Sequence, residues 1–442
     1  MGRWPLLRNR DFMLLWSGEV LSELGSQTST VAYPLLILAL TGSAAKAGVV
    51  GLAKWLPLTL FALPAGVLAD RMDRKRLMIG CDAVRMLGAA SIVGALWLGR
   101  PAYLQVVAVA FLDGALFITS HICERGALRQ VVAPEQLQDA VAQNEARYFS
   151  ASIVGPPLGG VLFAAARSLP FVADTASFLS SMTAISFTRA KFQTPSTADK
   201  LSWRGLWAEV VGGFSWLRHQ PFFRTASLLF AAGNPIFTGL YLLAILLAKH
   251  HGASSAAVGA MFAIVGAGGL LGALLAAPLR RRVTARALIA GEDWLLVGSV
   301  LMLLVAHNAL LIGLLVAAAE FATPVTNSVV AGSRVAVTPD HLQGRVQAAS
   351  TMLAMSLGWL GPLAVGVAFQ QTGPTTTVLI VAAWALGLAV VATLAPALRN
   401  APAAVPPAAN PSHPDHESTD GQTDGQLPAQ PARGDSADRT AS

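Results

Sequence analysis

The chain has 442 residues, 54% of them hydrophobic and only 12% charged, with a mean hydropathy of +0.56. A soluble domain carries about 25% charged residues, so half that share excludes a water-covered globular surface. The net charge of +7 does not point to nucleic acid, because the basic residues sit in short loops between apolar runs and form no phosphate-binding patch.

Apolar runs of bilayer-spanning length, about 20 residues each, are expected at 12–40, 46–69, 77–98, 102–123, 140–166, 170–188, 223–248, 254–279, 286–306, 308–332, 344–371 and 374–396. The basic start, Met1–Arg10, is followed by an apolar run too long for a signal-peptide core, with no small-residue cleavage site. It reads as the first retained span, and Pro34 is expected to kink or end its regular part. Residues 1–188 then form a first bundle of six helices. Residues 189–222 read as a cytoplasmic linker whose part from Trp203 to Gln220 is a plausible interfacial amphipathic helix. Residues 223–398 form a second six-helix bundle, and 399–442, rich in Pro, Ala, Asp, Ser and Gly, a disordered cytoplasmic tail.

Lys and Arg sort by side. One set of loops holds Arg8, Arg71, Arg74, Lys75, Arg76, Arg125, Arg129, Arg280, Arg281, Arg282, Arg334 and Arg345, while the alternate loops hold only Lys46, Arg100, Arg167 and Lys249. The positive-inside rule places both termini in the cytoplasm, which needs an even number of spans. Cys81 and Cys123 lie near cytoplasmic helix ends, where no disulfide is expected, and no Cys/His spacing suggests a metal.

The two halves repeat each other at an offset of about 205 residues. Gly66 falls on Gly272, Arg74-Lys75-Arg76 on Arg280-Arg281-Arg282, Gly155-Pro156 on Gly361-Pro362, and Gly160 on Gly366. Two halves of the same orientation are related by an axis along the membrane normal, with a site expected between them near the midplane. The expected fold is therefore an all-α membrane protein of twelve helices in two bundles related by a parallel pseudo-two-fold.

Ionisable groups inside a span are expensive and point to function. Glu23 and Glu19 lie one helical turn apart in the first span, and Gln27 extends their polar stripe. Asp113 in the fourth span and Glu320 in the tenth fall within two positions of each other under the repeat. These acids are candidate proton carriers or ligands for a cationic substrate, or else structural acids paired with a donor on another helix. Glu23 is the deeper of its pair, and Glu19 reads as a cytoplasmic gate or surface residue. Asp82 and Arg85 are expected to pair with each other, whereas Lys54 either snorkels or pairs with an acid. Asn234, Thr238 and Tyr241 share one face of the seventh span, Thr323 and Asn327 share the Glu320 face, and Trp359 is a stacking surface or a packed aromatic. All six are candidate cavity residues.

Gly66-Val-Leu-Ala-Asp-Arg-Met-Asp-Arg-Lys-Arg76 resembles the signature loop between the second and third helices of the major facilitator superfamily. Arg125-Gly-Ala-Leu and Val132-Ala-Pro134 resemble the helix-four exit of its siderophore and macrolide exporter branch, whose members are drug:proton antiporters. Gly155-Pro156-Pro157-Leu158-Gly159-Gly160 is similar to the helix-five motif of antiporters, although Ala151 stands where that motif has a glycine. The resemblance implies the twelve-helix fold, a cavity lined by the first helix, and export. Gly66, Asp70, Arg71, Arg74 and Arg125 become a cytoplasmic gate, with Gly66 allowing close helix approach and Asp70 latching the inner face shut. Gly155, Pro156, Gly159 and Gly160 become the helix-five motif. Ala276 replaces Asp70 in the second copy of the loop, so only the first can act as a charged latch.

There is no phosphate-cradling Gly-rich loop with a Lys, no His-Glu-x-x-His and no nucleophile elbow, so no enzyme activity, metal or cofactor is expected. The reading is a secondary active transporter of the inner membrane, coupled to protons, exporting small amphipathic or cationic molecules by alternating access as a monomer in the bilayer. An importer, uniporter or lipid flippase of the same fold, or a non-transporting sensor or scaffold, stands as the alternative.

Overall fold

Every apolar run folds as an α-helix in the computed structural model, which describes residues 5–193, 203–339 and 342–398. In the first half, α1 spans Arg10–Thr41, α2 Ala44–Leu60, α3 Ala62–Arg71, α4 Arg74–Trp97, α5 Tyr103–Val131, α6 Leu137–Ala165 and α7 Leu169–Ser186. Then come α8 Trp203–His219, α9 Pro221–His250, α10 Ser255–Arg282, α11 Ala285–Met302, α12 Ala309–Val337, α13 Gln343–Met355 and α14 Leu360–Leu394.

Eight stretches among the described residues are long and apolar enough to cross a membrane, and the pair α2 and α3, bent by 53°, is a ninth. The bend has a chemical cause: Pro64 has no N–H for the carbonyl of Leu60, and its ring crowds that carbonyl. One of the eight stretches, Gln343–Leu394, is 52 residues long and breaks at Gly373 (φ 82), just before Pro374, so it crosses twice. The more polar α1 and α7 complete twelve crossings. Their acids Glu19, Glu23 and Asp174 are buried inside the bundle, which keeps them out of the lipid. Large side chains such as Leu87, Trp97, Leu274 and Leu310 cover the outside, as a lipid-facing surface requires.

Several boundaries differ from the sequence expectation. Pro34 neither ends nor interrupts α1, which runs on to Thr41 and is closed by Gly42 in the left-handed conformation. The fourth crossing, α5, continues to Val131 rather than 123, carrying Cys123, Glu124 and Arg125 within the helix. Both cysteines are buried and unbonded. The eleventh crossing is split between Met355 and Leu360. Helix α8 packs on α13, where a Cβ on Gly213 would fall 2.3 Å from the carbonyl oxygen of Arg345. The expected tail at 399–442 lies outside the described residues.

Both halves belong to one unit, Met1–Ala404, and meet through two helix pairs, α6 with α10 and α2 with α14. Glycines make these contacts possible, because a missing Cβ lets backbones approach closely. A Cβ on Gly160 would lie 2.4 Å from the Cα of Gly259, and one on Gly366 would lie 2.9 Å from the Cα of Gly48. Within the bundles the same symmetry recurs. Gly155 of α6 packs on Gln27 of α1, and its repeat mate Gly361 packs on Pro235 and Gly239 of α9. The repeat in the sequence is thus a repeat of contacts.

Candidate functional site

A cavity of about 350 Å³ lies between the halves. Helix α1 supplies Glu23, Ser26 and Gln27, α2 supplies Lys54 and Trp55, and α6 supplies Tyr148 and Pro156. The second half contributes Phe237, Thr238 and Tyr241 from α9, with Glu320 and Thr323 from α12. The helix-five motif holds this arrangement. Gly155 and Gly159 seat α6 against Gln27 and Thr28 of α1, and Gly160 seats it against α10, so one helix joins the polar stripe of α1 to the other half.

The acids in and around the cavity have different surroundings. Asp113 is held by two cations: Lys54 Nζ stands 3.1 Å from Oδ2 and Arg85 Nε donates to Oδ1 at 2.8 Å. Arg85 also donates to the Ser26 hydroxyl at 2.8 Å and lies over the Phe178 ring at 4.3 Å. Its expected partner Asp82 is farther, at 3.9 Å, and accepts from Ser181 at 2.7 Å. Asp113 is therefore a paired interhelical acid, and Lys54 pairs rather than snorkels.

Glu23 accepts from the Gln27 amide at 2.8 Å and forms no ion pair among the described residues. Across the cavity Glu320 faces the Tyr241 phenol, itself stacked on Phe262 at 5.5 Å. Of the two readings of Glu19, cytoplasmic gate or surface residue, the surface one does not hold. Glu19 is buried, 8% exposed, with Oε1 lacking any partner.

The other candidates divide. Thr238 reaches the cavity wall but spends its hydroxyl on the carbonyl oxygen of Gly358 at 2.6 Å. Asn234 and Asn327 line a second cavity, of about 420 Å³, which Thr323 and Phe237 share with the first. Trp359 lines neither; its indole donates to the Ser356 carbonyl at 2.8 Å in the break between α13 and α14.

In the signature loop Asp70 pairs with Arg74 at 3.2 Å, Arg74 also donates to the Ala69 carbonyl, and the Gln193 amide donates to the Asp70 carbonyl. All these partners belong to the first half or its end. Arg125 stands 3.9 Å from Glu145, and Arg71 is exposed. The expected close approach at Gly66 is not made here, since a Cβ there would meet nothing within 4 Å.

Sequence reasoning missed Glu124, which binds Arg147 at 2.7 Å and Asn144 at 2.9 Å in the buried inner part of the first half. The hydropathy pattern placed Glu124 in a loop by ending its helix too early. The spacing Glu124-x-x-x-Leu128 with an apolar face would have signalled the extra turns. Among the described residues no three His, Cys, Asp or Glu side chains stand together to hold a metal.

The sequence matches the transmembrane secretion effector family over residues 1–423. It is 29% identical to the multidrug efflux pump Tap of Mycolicibacterium fortuitum over 411 residues, 90% of this chain and 97% of that one. It is 27% identical to the macrolide efflux protein A of Streptococcus pyogenes over 159 residues, 34% of this chain and 38% of that one. The solved structure of the nucleoside transporter NupG superposes with a TM-score of 0.66 at 14% identity, over 88% of this chain and 99% of that one, a likeness of fold. Two glycine-packed bundles around a central polar cavity, and a family match over nearly the whole chain, agree: this multi-pass membrane transporter belongs to the transmembrane secretion effector family of the major facilitator superfamily.

Proposed function

We propose that the protein exports small amphipathic or cationic molecules across the inner membrane in exchange for protons, as a monomer. Export is supported by the names of its relatives, a multidrug efflux pump along almost the whole chain and a macrolide efflux protein along part of it. The observation that carries the coupling is the pair Glu23 and Glu320. They stand on opposite halves of one cavity, and neither forms an ion pair among the described residues. An ionisable group inside a membrane span is costly to keep and marks a functional position. A substrate cation and a proton can then compete for the same two groups.

Sidedness follows from the basic loops. With both termini in the cytoplasm, the contacts Ala44 to Gln370 and Gly160 to Gly259 lie toward the periplasm, and the cavity opens inward. Substrate enters with the acids deprotonated and the halves rock. The freed Asp70 loop then closes on the second half, and outside protons displace the substrate. In this reading residues 1–188 and 223–398 are the rocking bodies. Helix α8 lies along the inner membrane surface as part of the 189–222 linker, and the 399–442 tail is dispensable.

The test uses everted membrane vesicles energised to an acid interior, a panel of compounds and a pH-sensitive dye. Compound-dependent proton release by the wild type, falling to background in Glu320→Gln, is the expected result. Equal release in both would remove Glu320 from coupling, and no release for any compound would overturn proton exchange.

A further inference from the structure

The second cavity lies wholly within the second half, among α9, α11, α12 and α13. Two adjacent acids of α11, Glu292 and Asp293, face into it, and Glu292 is 7% exposed. No ion pair reaches either of them among the described residues, where every ion pair lies between Lys54 and Arg147. The one basic residue on its wall, Arg334, has its guanidinium turned to the Gln347 side chain. A second observation points to a missing ligand. Ser350 of α13 lines the same cavity, is 4% exposed, and its hydroxyl has no partner. Phe230 and Phe237 supply apolar wall, and the volume suits a drug-sized molecule.

In their ionised form two such carboxylates favour a cationic ligand over an empty cavity, because an uncompensated buried ion costs several kcal/mol. An inorganic cation would want a shell of oxygens, whereas half of this wall is hydrocarbon and aromatic. We propose that this cavity is a second binding subsite, separate from the central one, for an organic cation with an apolar body. Glu292 and Asp293 balance its charge, the Ser350 hydroxyl takes a polar substituent, and Phe230 and Phe237 cover the rest. Because Phe237 and Thr323 line both cavities, a cation leaving this subsite passes directly to Glu320. The assignment rests on the transport reading for its purpose, but not for its binding.

Tetraphenylphosphonium, whose charge is permanent, separates cation binding from proton uptake. Equilibrium dialysis of the purified full-length protein at pH 8 is expected to give two bound equivalents. Glu292→Gln combined with Asp293→Asn should remove one and keep the other, which also reports that the variant is folded. Ser350→Leu, which fills the cavity and leaves the carboxylates, should remove the same equivalent. Glu320→Gln should remove the other one. A single equivalent lost only in Glu320→Gln would overturn the subsite and leave the central site standing. A single equivalent lost only with the α11 acids would do the reverse. No bound equivalent, or displacement of the α11 equivalent by sodium at millimolar concentration, would overturn the subsite.

Discussion

The two halves share their helix contacts and differ in how they treat buried charge. In the first half Lys54, Arg85 and Arg147 stand inside the bundle, each against a carboxylate. In the second half every Lys and Arg lies near a helix end, and Glu292, Asp293 and Glu320 face cavities and form no ion pair among the described residues. The first bundle thus buries cations and pairs each with an acid, leaving Glu19 and Glu23 outside those pairs, whereas the second buries acids and no cation. Closed ion pairs hold the helices of the first bundle to one another, since breaking such a pair strands a charge.

Removing a cation from the first half should have the largest effect. Arg85→Gln leaves Asp113 and Asp82 short of charge and should cost about 3–5 kcal/mol, measured by unfolding in mixed micelles. Adding Asp113→Asn should recover part of the loss. If Arg85→Gln melts like the wild type, the ion pairs are not what stabilises the first half.

A smaller effect compares one aligned position in both halves. A Cβ on Gly272 would lie 2.0 Å from the Phe321 carbonyl oxygen, whereas one on Gly66 meets nothing. Gly272→Leu must push α10 from α12 and should cost about 1–3 kcal/mol, while Gly66→Leu should leave the melting temperature unchanged. If Gly66→Leu also blocks transport, the loop closes on a neighbour in the other state, as the latch requires. Equal destabilisation by the two would contradict the open inner face.

The smallest effect sharpens the contrast most. Glu320→Gln should melt at or above the wild type, because no cation is stranded, while Asp113→Asn, which strands Lys54 and Arg85, should melt lower. A lower melting temperature for Glu320→Gln would mean that this acid has a structural partner after all.

Much of this was legible in the sequence. Gly155-Pro156 matches Gly361-Pro362 and Gly160 matches Gly366 in the sequence repeat, and the structure turns those matches into equivalent contacts on α1 and α9 and into the two junctions between the halves. Glu23, Gln27, Tyr241, Thr323 and Glu320 were read from helical faces and do line one cavity. The failures share a cause. Glu124 was lost to a helix end that hydropathy drew too early, because Glu124 is buried by protein and not by lipid. The surface alternative for Glu19 failed because helices packed around the inner part of α1 bury it.

Apolar length, loop charge and internal repetition are local quantities, so the sequence by itself determined the crossings, their pairing into two halves and the polar faces. Which acid receives a cation depends on how far each helix is rotated and tilted against another. Lys54 and Asp113 are 59 residues apart and Arg85 and Asp113 are 28 apart, and no spacing along the chain relates them. Only tertiary packing decided that Asp113 is neutralised while Glu320 is not, because Coulomb energy falls with distance in space.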